Sequence, residues 1–268
     1  MTIIMILILL AALYLLALKC RTDHKLLPEL RKWYYAHRGL HGKGAPENSM
    51  AAFRLALEKG YGIELDIHLM SDGKLAVIHD ASLKRTTGAD GFVEDLTADD
   101  LAQYRLEGTE ETIPLFEDVL ALFDGKAPMI IELKAERGNH AALAEAACKV
   151  LESYRGIYCI ESFDPRCILW LRKNRPDIVR GQLSYNFVKD KASTLSPVMR
   201  FVLTNLLTNF LTQPDFIAYS FTDRKGVSPK LCRSWWKTQP VSWTLRNVSD
   251  FQTALQEGNI PIFEGFEP

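Results

Sequence analysis

The sequence predicts an α/β protein, a (β/α)8 TIM barrel preceded by an N-terminal anchor helix. Short apolar runs alternate with helical patterns through most of the 268 residues, the signature of a parallel sheet built from βαβ units. The runs are apolar on both faces, as strands covered by helices should be. Several of them end in charged or imidazole side chains, and in a parallel barrel reactive groups collect at the C-terminal strand ends.

In chain order, residues 1–18 stand apart. Ile3 to Leu18 is continuously apolar, and charge begins only at Lys19, Arg21 and Lys25. This run is at the short end for crossing a ~30 Å hydrocarbon core, and it predicts an uncleaved transmembrane anchor over 1–18. A removed signal peptide is the rival, but no basic segment precedes the run and no small-x-small site follows it. Because the positive charges lie on its C-terminal side, the inside-positive rule places the folded domain in the cytoplasm, tethered to a membrane. Residues 19–32 read as a polar linker broken by Pro28, and 33–268 as one large domain.

Within that domain, Tyr34–His37 is the first strand candidate. Glu47–Lys59 is helical, capped by Asn48 or Ser49 and ended by Gly60. Strands follow at 62–68 and 75–80, separated by the turn Ser71-Asp-Gly73. Further strands fall at 129–134, 158–163, 178–184, 215–220, 241–245 and 260–263, with helices over 140–153 and near 165–174 and 249–257. That makes nine candidates for eight barrel positions, and 215–220 and 260–263 are the weakest. Residues 81–118, rich in Thr, Asp, Glu and Gly, read as a small insertion after the third strand. Val198–Leu211 carries apolar residues at helical spacing and reads as a covering helix, with a membrane-facing surface as the lesser reading. A doubly wound open sheet is the alternative architecture, but no G-x-G-x-x-G or P-loop follows the first strand.

Composition excludes several classes. A net charge of −1 and a pI near 6.6 leave no electrostatic footprint for nucleic acid. The five cysteines are odd in number and lack C-x-x-C spacing, which argues against zinc or a disulfide framework and fits a reducing compartment.

The chemistry centres on Gly62-Ile-Glu-Leu-Asp-Ile-His68. A strand's period of two puts Glu64, Asp66 and His68 on one face. Carboxylates aimed into an apolar interior are costly unless a cation compensates them. Glu64, Asp66 and Glu132 would form an oxygen-rich hole for one divalent cation, Mg²⁺ or Ca²⁺. His37 and His79 offer a general base and a general acid. Arg38 and Lys134 supply fixed positive charge for a phosphate. Each has a plainer reading, a hydrogen-bonded strand-end histidine or an ion pair of ~0–1 kcal/mol. Those readings lose force together, since so many polar groups would have to gather at successive strand ends by accident. Cation, acid, base and phosphate clamp are the parts that hydrolyse a phosphodiester.

Ala36-His-Arg-Gly39, Pro46-Glu-Asn-Ser49, Glu64-Leu-Asp66, Val77-Ile-His-Asp80 and Ile131-Glu-Leu-Lys134 together resemble the glycerophosphodiester phosphodiesterases. Ser162-Phe163 and Trp243-Thr-Leu245 fall where that family has its Ser-Phe and Trp-Thr strand ends. The resemblance runs from about Tyr35 to the C-terminus, tightly over the first hundred residues and loosely over the last. It implies a (β/α)8 barrel with a small insertion after the third strand, a cation on Glu64, Asp66 and Glu132, and His37 and His79 as acid and base. It further implies Arg38 and Lys134 on the phosphate, with Glu47 near the site and Trp243 against the glycerol or acyl part of the substrate. Two departures stand out. Where the family's last strand commonly ends in Thr-Asp-x-Pro this chain reads Phe263-Glu-Gly-Phe-Glu-Pro268, and the usual Asn after Trp-Thr-Val is Arg246, with Asn247 one place later.

The expected reaction is hydrolysis of a glycerophosphodiester to glycerol 3-phosphate and an alcohol. A lysophospholipase D-like reaction on membrane lysophospholipids is the alternative. A membrane-tethered binding protein with a dead barrel is the reading from another class, and the complete set of polar residues argues against it. A metal hydrolase of another ester or amide lacks the His-x-His expected of zinc.

Overall fold

Parallel strands need a crossover of a dozen or more residues, usually a helix. The computed structural model, which describes residues 1–268, repeats that unit around a ring. In chain order the elements are α1 (Thr2–Ala17), α2 (Leu27–Leu30), β1 (Tyr35–His37), α3 (Met50–Glu58), β2 (Gly62–Leu69), β3 (Leu75–Val77), α4 (Lys84–Thr87), α5 (Phe116–Phe123), β4 (Met129–Leu133), α6 (His140–Leu151), β5 (Tyr158–Ser162), α7 (Pro165–Asn174), β6 (Arg180–Ser184), α8 (Pro197–Thr204), α9 (Asn209–Thr212), β7 (Phe216–Ser220), α10 (Val227–Ser234), β8 (Gln239–Leu245), α11 (Val248–Gln256) and β9 (Ile260–Phe263). Strands β1, β2 and β4 to β9 pair in parallel, and β1 closes the ring by pairing with both β2 and β9. The expected (β/α)8 barrel is formed.

One strand assignment needs correction. The run at 75–80 is not a barrel strand: β3 pairs antiparallel with β2, Ile67 against Val77. The two weakest candidates, 215–220 and 260–263, are the barrel strands β7 and β9. The insertion therefore follows a hairpin on the second barrel strand rather than a third barrel strand. It folds around its own apolar cluster, Leu83, Val93 and Leu101 among it, and a capping box between Thr97 and Asp100 starts its 3-10 turn.

The pleat builds two cores. Outward residues such as Ile63, Leu65, Ile67, Ile131 and Ile160 meet the helices in the larger cluster. Inward residues Tyr35, Ile130, Cys159, Val179, Phe216, Val241 and Ile262 fill the barrel's lower half, closed from below by Leu27 and Leu30 of α2. Two residues further along these strands the inward position changes character: Tyr35 gives way to His37, Ile130 to Glu132 and Cys159 to Glu161. The fill is tight enough to need a glycine. A Cβ on Gly181 would lie 2.1 Å from the Phe216 ring, which is itself buried. Gly181→Ala is expected to cost about 1–3 kcal/mol through overpacking, seen as a lower urea midpoint at unchanged slope.

The expected transmembrane span over 1–18 finds no support in the helix lengths. Helix α1 has 16 residues, about 24 Å at 1.5 Å per residue, against a hydrocarbon core of ~30 Å. No helix of the structure is long and apolar enough to cross a membrane. The apolar run outlasts the free helix because its last turns belong to the barrel. Tyr14 Oη lies 2.7 Å from Ser228 Oγ, Trp236 Nε1 donates to the Leu15 carbonyl at 2.9 Å, and Leu18 is fully buried. Below them Arg21 grips Asp215, just ahead of β7, at 2.5 and 2.6 Å. Since α10 runs from the C-terminal to the N-terminal end of the barrel, these contacts make α1 run the same way. Its earlier turns, exposed throughout, project from the end where the strands finish. All five cysteines are free and buried.

Candidate active site

The C-terminal end of the barrel brings the predicted residues together. Register sets the carboxylates: Asp66 lies opposite Glu132, and Glu132 opposite Glu161. Ligand oxygens of Glu64, Asp66 and Glu132 all lie within 4.8 Å of one another, and the three side chains are buried. A donor set of carboxylate oxygens alone is the chemistry a hard divalent cation takes. Beside them Glu161 Oε2 is buried with no hydrogen-bond donor, and Asp66 Oδ1 has only the Lys134 ammonium at 3.4 Å. The residues present therefore fit Mg²⁺ or Ca²⁺.

The electrostatics point the same way. Burial, then the negative charges of Asp66, Glu132 and Glu161, push Glu64 well above the usual carboxyl range. Burial likewise raises Glu161 far up and Glu132 to about 7. Burial would raise Asp66 too, but Lys134, His79, Arg38 and the Asn48 amide hold it well below normal. Negative charge is thus concentrated on Asp66 while its neighbours are driven towards the neutral form.

The two cations are drawn into this cluster. Lys134 Nζ stands 3.0 Å from Glu132 and 3.4 Å from Asp66, and lines a small cavity beside the main one. Arg38 donates to Glu47 at 2.9 Å, with its Nε 3.6 Å from Asp66. Its backbone at φ 55° turns the main-chain N–H onto Glu64 Oε2 at 3.2 Å.

Each histidine is braced on one nitrogen and free on the other. His37 Nδ1 lies 2.6 Å from Glu264, while its Nε2 points to the carboxylates, 3.8 Å from Glu64 Oε2. His79 Nδ1 lies 2.6 Å from Asp80, which Arg85 anchors at 2.5 Å before reaching Glu47 at 2.7 Å. Burial lowers both imidazoles below the ordinary histidine range. Burial would raise Glu264, yet His37 and Arg246 hold it down at about 2. Both histidines line a cavity of about 240 Å³ with Glu64, Glu132, Phe163 and Trp243. The buried Trp243 Nε1–H has no acceptor.

Three residues escaped the sequence reading. Asn48, at φ 54°, donates to Asp66 Oδ2 at 2.9 Å. Glu161 lies on the inward face two residues beyond Cys159, where the period of two would have placed it. Glu264 was noticed only as a departure, and it proves to brace His37 while pairing with the other departure, Arg246, at 3.1 Å. His68 stays outside the site; it joins Glu94 of the insertion at 2.7 Å to the His79 carbonyl at 3.1 Å.

Glu264 yields a prediction. Its carboxylate raises His37 against the effect of burial, so Glu264→Gln should lower the His37 pKa further. Whichever limb of the kcat/KM–pH profile reports His37 will then move to lower pH, with kcat falling less than on loss of the imidazole. An unmoved profile would mean that Glu264 does not act on His37.

The family model of the glycerophosphoryl diester phosphodiesterases matches residues 37–264. A glycerophosphodiester phosphodiesterase of Bacillus altitudinis is 40% identical over 130 residues, 45% of this chain and 53% of that protein. A human glycerophosphodiester phosphodiesterase 1 is 28% identical over 258 residues, 86% of this chain and 77% of that protein. A rat lysophospholipase D is 33% identical over 135 residues, 46% of this chain and 41% of that one. The chain spans about half the length of the Bacillus and rat relatives. Among solved structures, a phosphodiesterase of Oleispira antarctica in complex with sn-glycerol-3-phosphate has a TM-score of 0.70 at 22% identity, covering 87% of this chain and 92% of that one. At that identity the likeness is one of fold. With the family model spanning the barrel from His37 to Glu264, this chain belongs to the glycerophosphoryl diester phosphodiesterase family.

Proposed function

We propose that this protein hydrolyses glycerophosphodiesters to glycerol 3-phosphate and an alcohol. The observation that carries the reading is the convergence of Glu64, Asp66 and Glu132 with His37 and His79 at one end of the barrel. A divalent cation bound there would draw on a non-bridging phosphate oxygen and lower the pKa of the attacking hydroxyl or water. Glu64, Asp66 and Glu132 are its proposed ligands, and Asn48 holds Asp66 in place.

Glu264 and Asp80 keep a proton on Nδ1 of His37 and His79, which leaves each Nε2 free to accept one. With both imidazoles lowered by burial, one Nε2 removes the nucleophile's proton at neutral pH. The bound diester's negative charge favours protonation of the other, which then donates to the leaving alcohol. Arg38 and Lys134 supply the positive charge facing the phosphate, and Trp243 offers its indole to the glycerol part.

The test is product identification from glycerophosphocholine. Glycerol 3-phosphate and free choline are expected, and release of phosphocholine instead would overturn the assignment of the broken bond.

A further inference from the structure

On one side the catalytic cavity is walled by Phe163. That residue follows the end of β5, and its ring meets Trp243 edge-on at 5.5 Å and Phe187 at 6.2 Å. Beyond it lies a second cavity of about 400 Å³, lined by Phe163, Pro165, Phe187, Leu195, Met199 and Leu203. It runs between the loop after β5, the loop after β6, and α8. Its two charged wall residues, Asp164 and Arg166, are paired with each other at 2.7 Å, so no unpaired charge faces the groove. The volume falls within the ~300–1,000 Å³ of small-molecule sites. Outside it, α8 exposes Val198, Met199 and Phe201, and the exposed apolar turns of α1 project from the same end of the barrel.

An amphiphile with its phosphate at the carboxylate cluster would therefore have an apolar groove next to it, across Phe163. We propose that this groove is an acyl-chain subsite, taking the single hydrocarbon chain of a monoacyl glycerophosphodiester whose phosphate lies between His37 and His79. Adjacency to the catalytic cavity across one shared aromatic wall selects a chain on the substrate over a separate apolar partner. The proposal rests on the phosphodiesterase reading above and adds the substrate class. Met199 would be the chain's contact at the groove mouth, since it lines the cavity and is 42% exposed.

The test is a series of hexanoyl, octanoyl and decanoyl 1-acyl glycerophosphocholines, each below its micellar concentration, with glycerophosphocholine as the chain-free reference. Wild-type protein is compared with Met199→Asp, a change that its exposure lets the fold tolerate. Each methylene withdrawn from water can raise affinity about fourfold. Wild-type KM should fall at least about tenfold along the series with kcat little changed, as for uniform binding. In Met199→Asp the fall should flatten, while glycerophosphocholine turnover stays within about twofold of wild type.

Calorimetric binding of decylphosphocholine gives a readout without turnover, and should be strong in wild type and weakened in the variant. If KM ignores chain length while glycerophosphocholine is still hydrolysed, the groove assignment fails and the phosphodiesterase reading stands. If decylphosphocholine binds through Met199 but no glycerophosphodiester is turned over, the groove stands and the activity fails. A chain-length effect that Met199→Asp leaves intact, or a concentration-dependent dimer that this variant abolishes, puts another occupant on this face and overturns the proposal.

Discussion

Glu64→Gln should abolish cation-dependent turnover of glycerophosphocholine and at the same time raise the melting temperature of the cation-free protein. Both effects come from one side chain. Glu64 is buried, and its neighbours are the carboxyls of Asp66, Glu132 and Glu161. A glutamine keeps the shape and can still accept from the Arg38 N–H, but it removes the ligand carboxylate and with it the cost of burying an ionisable carboxyl among its like. Sites built for function are often less stable than they could be.

The pH dependence follows from the same residues. Glu64, Glu132 and Glu161 are raised above the unfolded Glu value of about 4.3, so at these three sites the native state holds more protons than the unfolded chain, an effect that His37 and His79, lowered by burial, partly offset. Stability of the cation-free protein is then full below that value and is lost as pH rises towards about 7, where Glu132 titrates. In EDTA the wild-type melting temperature should fall between pH 5 and pH 8. Mg²⁺ or Ca²⁺ at about 100 times its Kd should restore about 2.7 kcal/mol, or roughly 5–10 °C. Glu64→Gln should lose most of that cation response. A variant that kept both turnover and the response would remove Glu64 from the site.

His37→Ala should lower kcat by about 10²–10⁴-fold, the usual contribution of a positioned acid or base, with the cation-dependent rise in melting temperature retained. The imidazole sits at the end of β1, where its removal opens only the cavity already facing solvent. Its Nε2 points to the carboxylates, 3.8 Å from Glu64 Oε2. Added imidazole should recover part of the rate, which a purely structural role for His37 would not allow. Near-wild-type turnover would contradict the assignment.

Much of this site was legible because it is local. Glu64 and Asp66 share a face by the period of two, Glu132 and Lys134 repeat the pattern on β4, and His37 and His79 stand just where their apolar runs stop. What escaped depends on long-range contacts or on turn length. Glu264 braces a residue 227 positions away, which no short motif announces when Glu replaces the expected Asp. The direction of β3 was available from the chain: the short turn at Ser71–Gly73 can join only antiparallel strands. Helix α10 was not among the expected helices; its Pro229 lies in the first turn, where proline costs little. For α1, hydropathy measured the apolar run but could not show that Tyr14, Leu15 and Leu18 pack on the barrel.

The most direct measurement is turnover of a panel of phosphodiesters by the full chain, first as purified, then in EDTA, then with Mg²⁺ or Ca²⁺ restored. Glycerophosphodiesters should be cleaved, with activity lost in EDTA and recovered on adding one of the two cations. Turnover indifferent to EDTA, or none with either cation present, would contradict the reading of Glu64, Asp66 and Glu132 as a catalytic cation site.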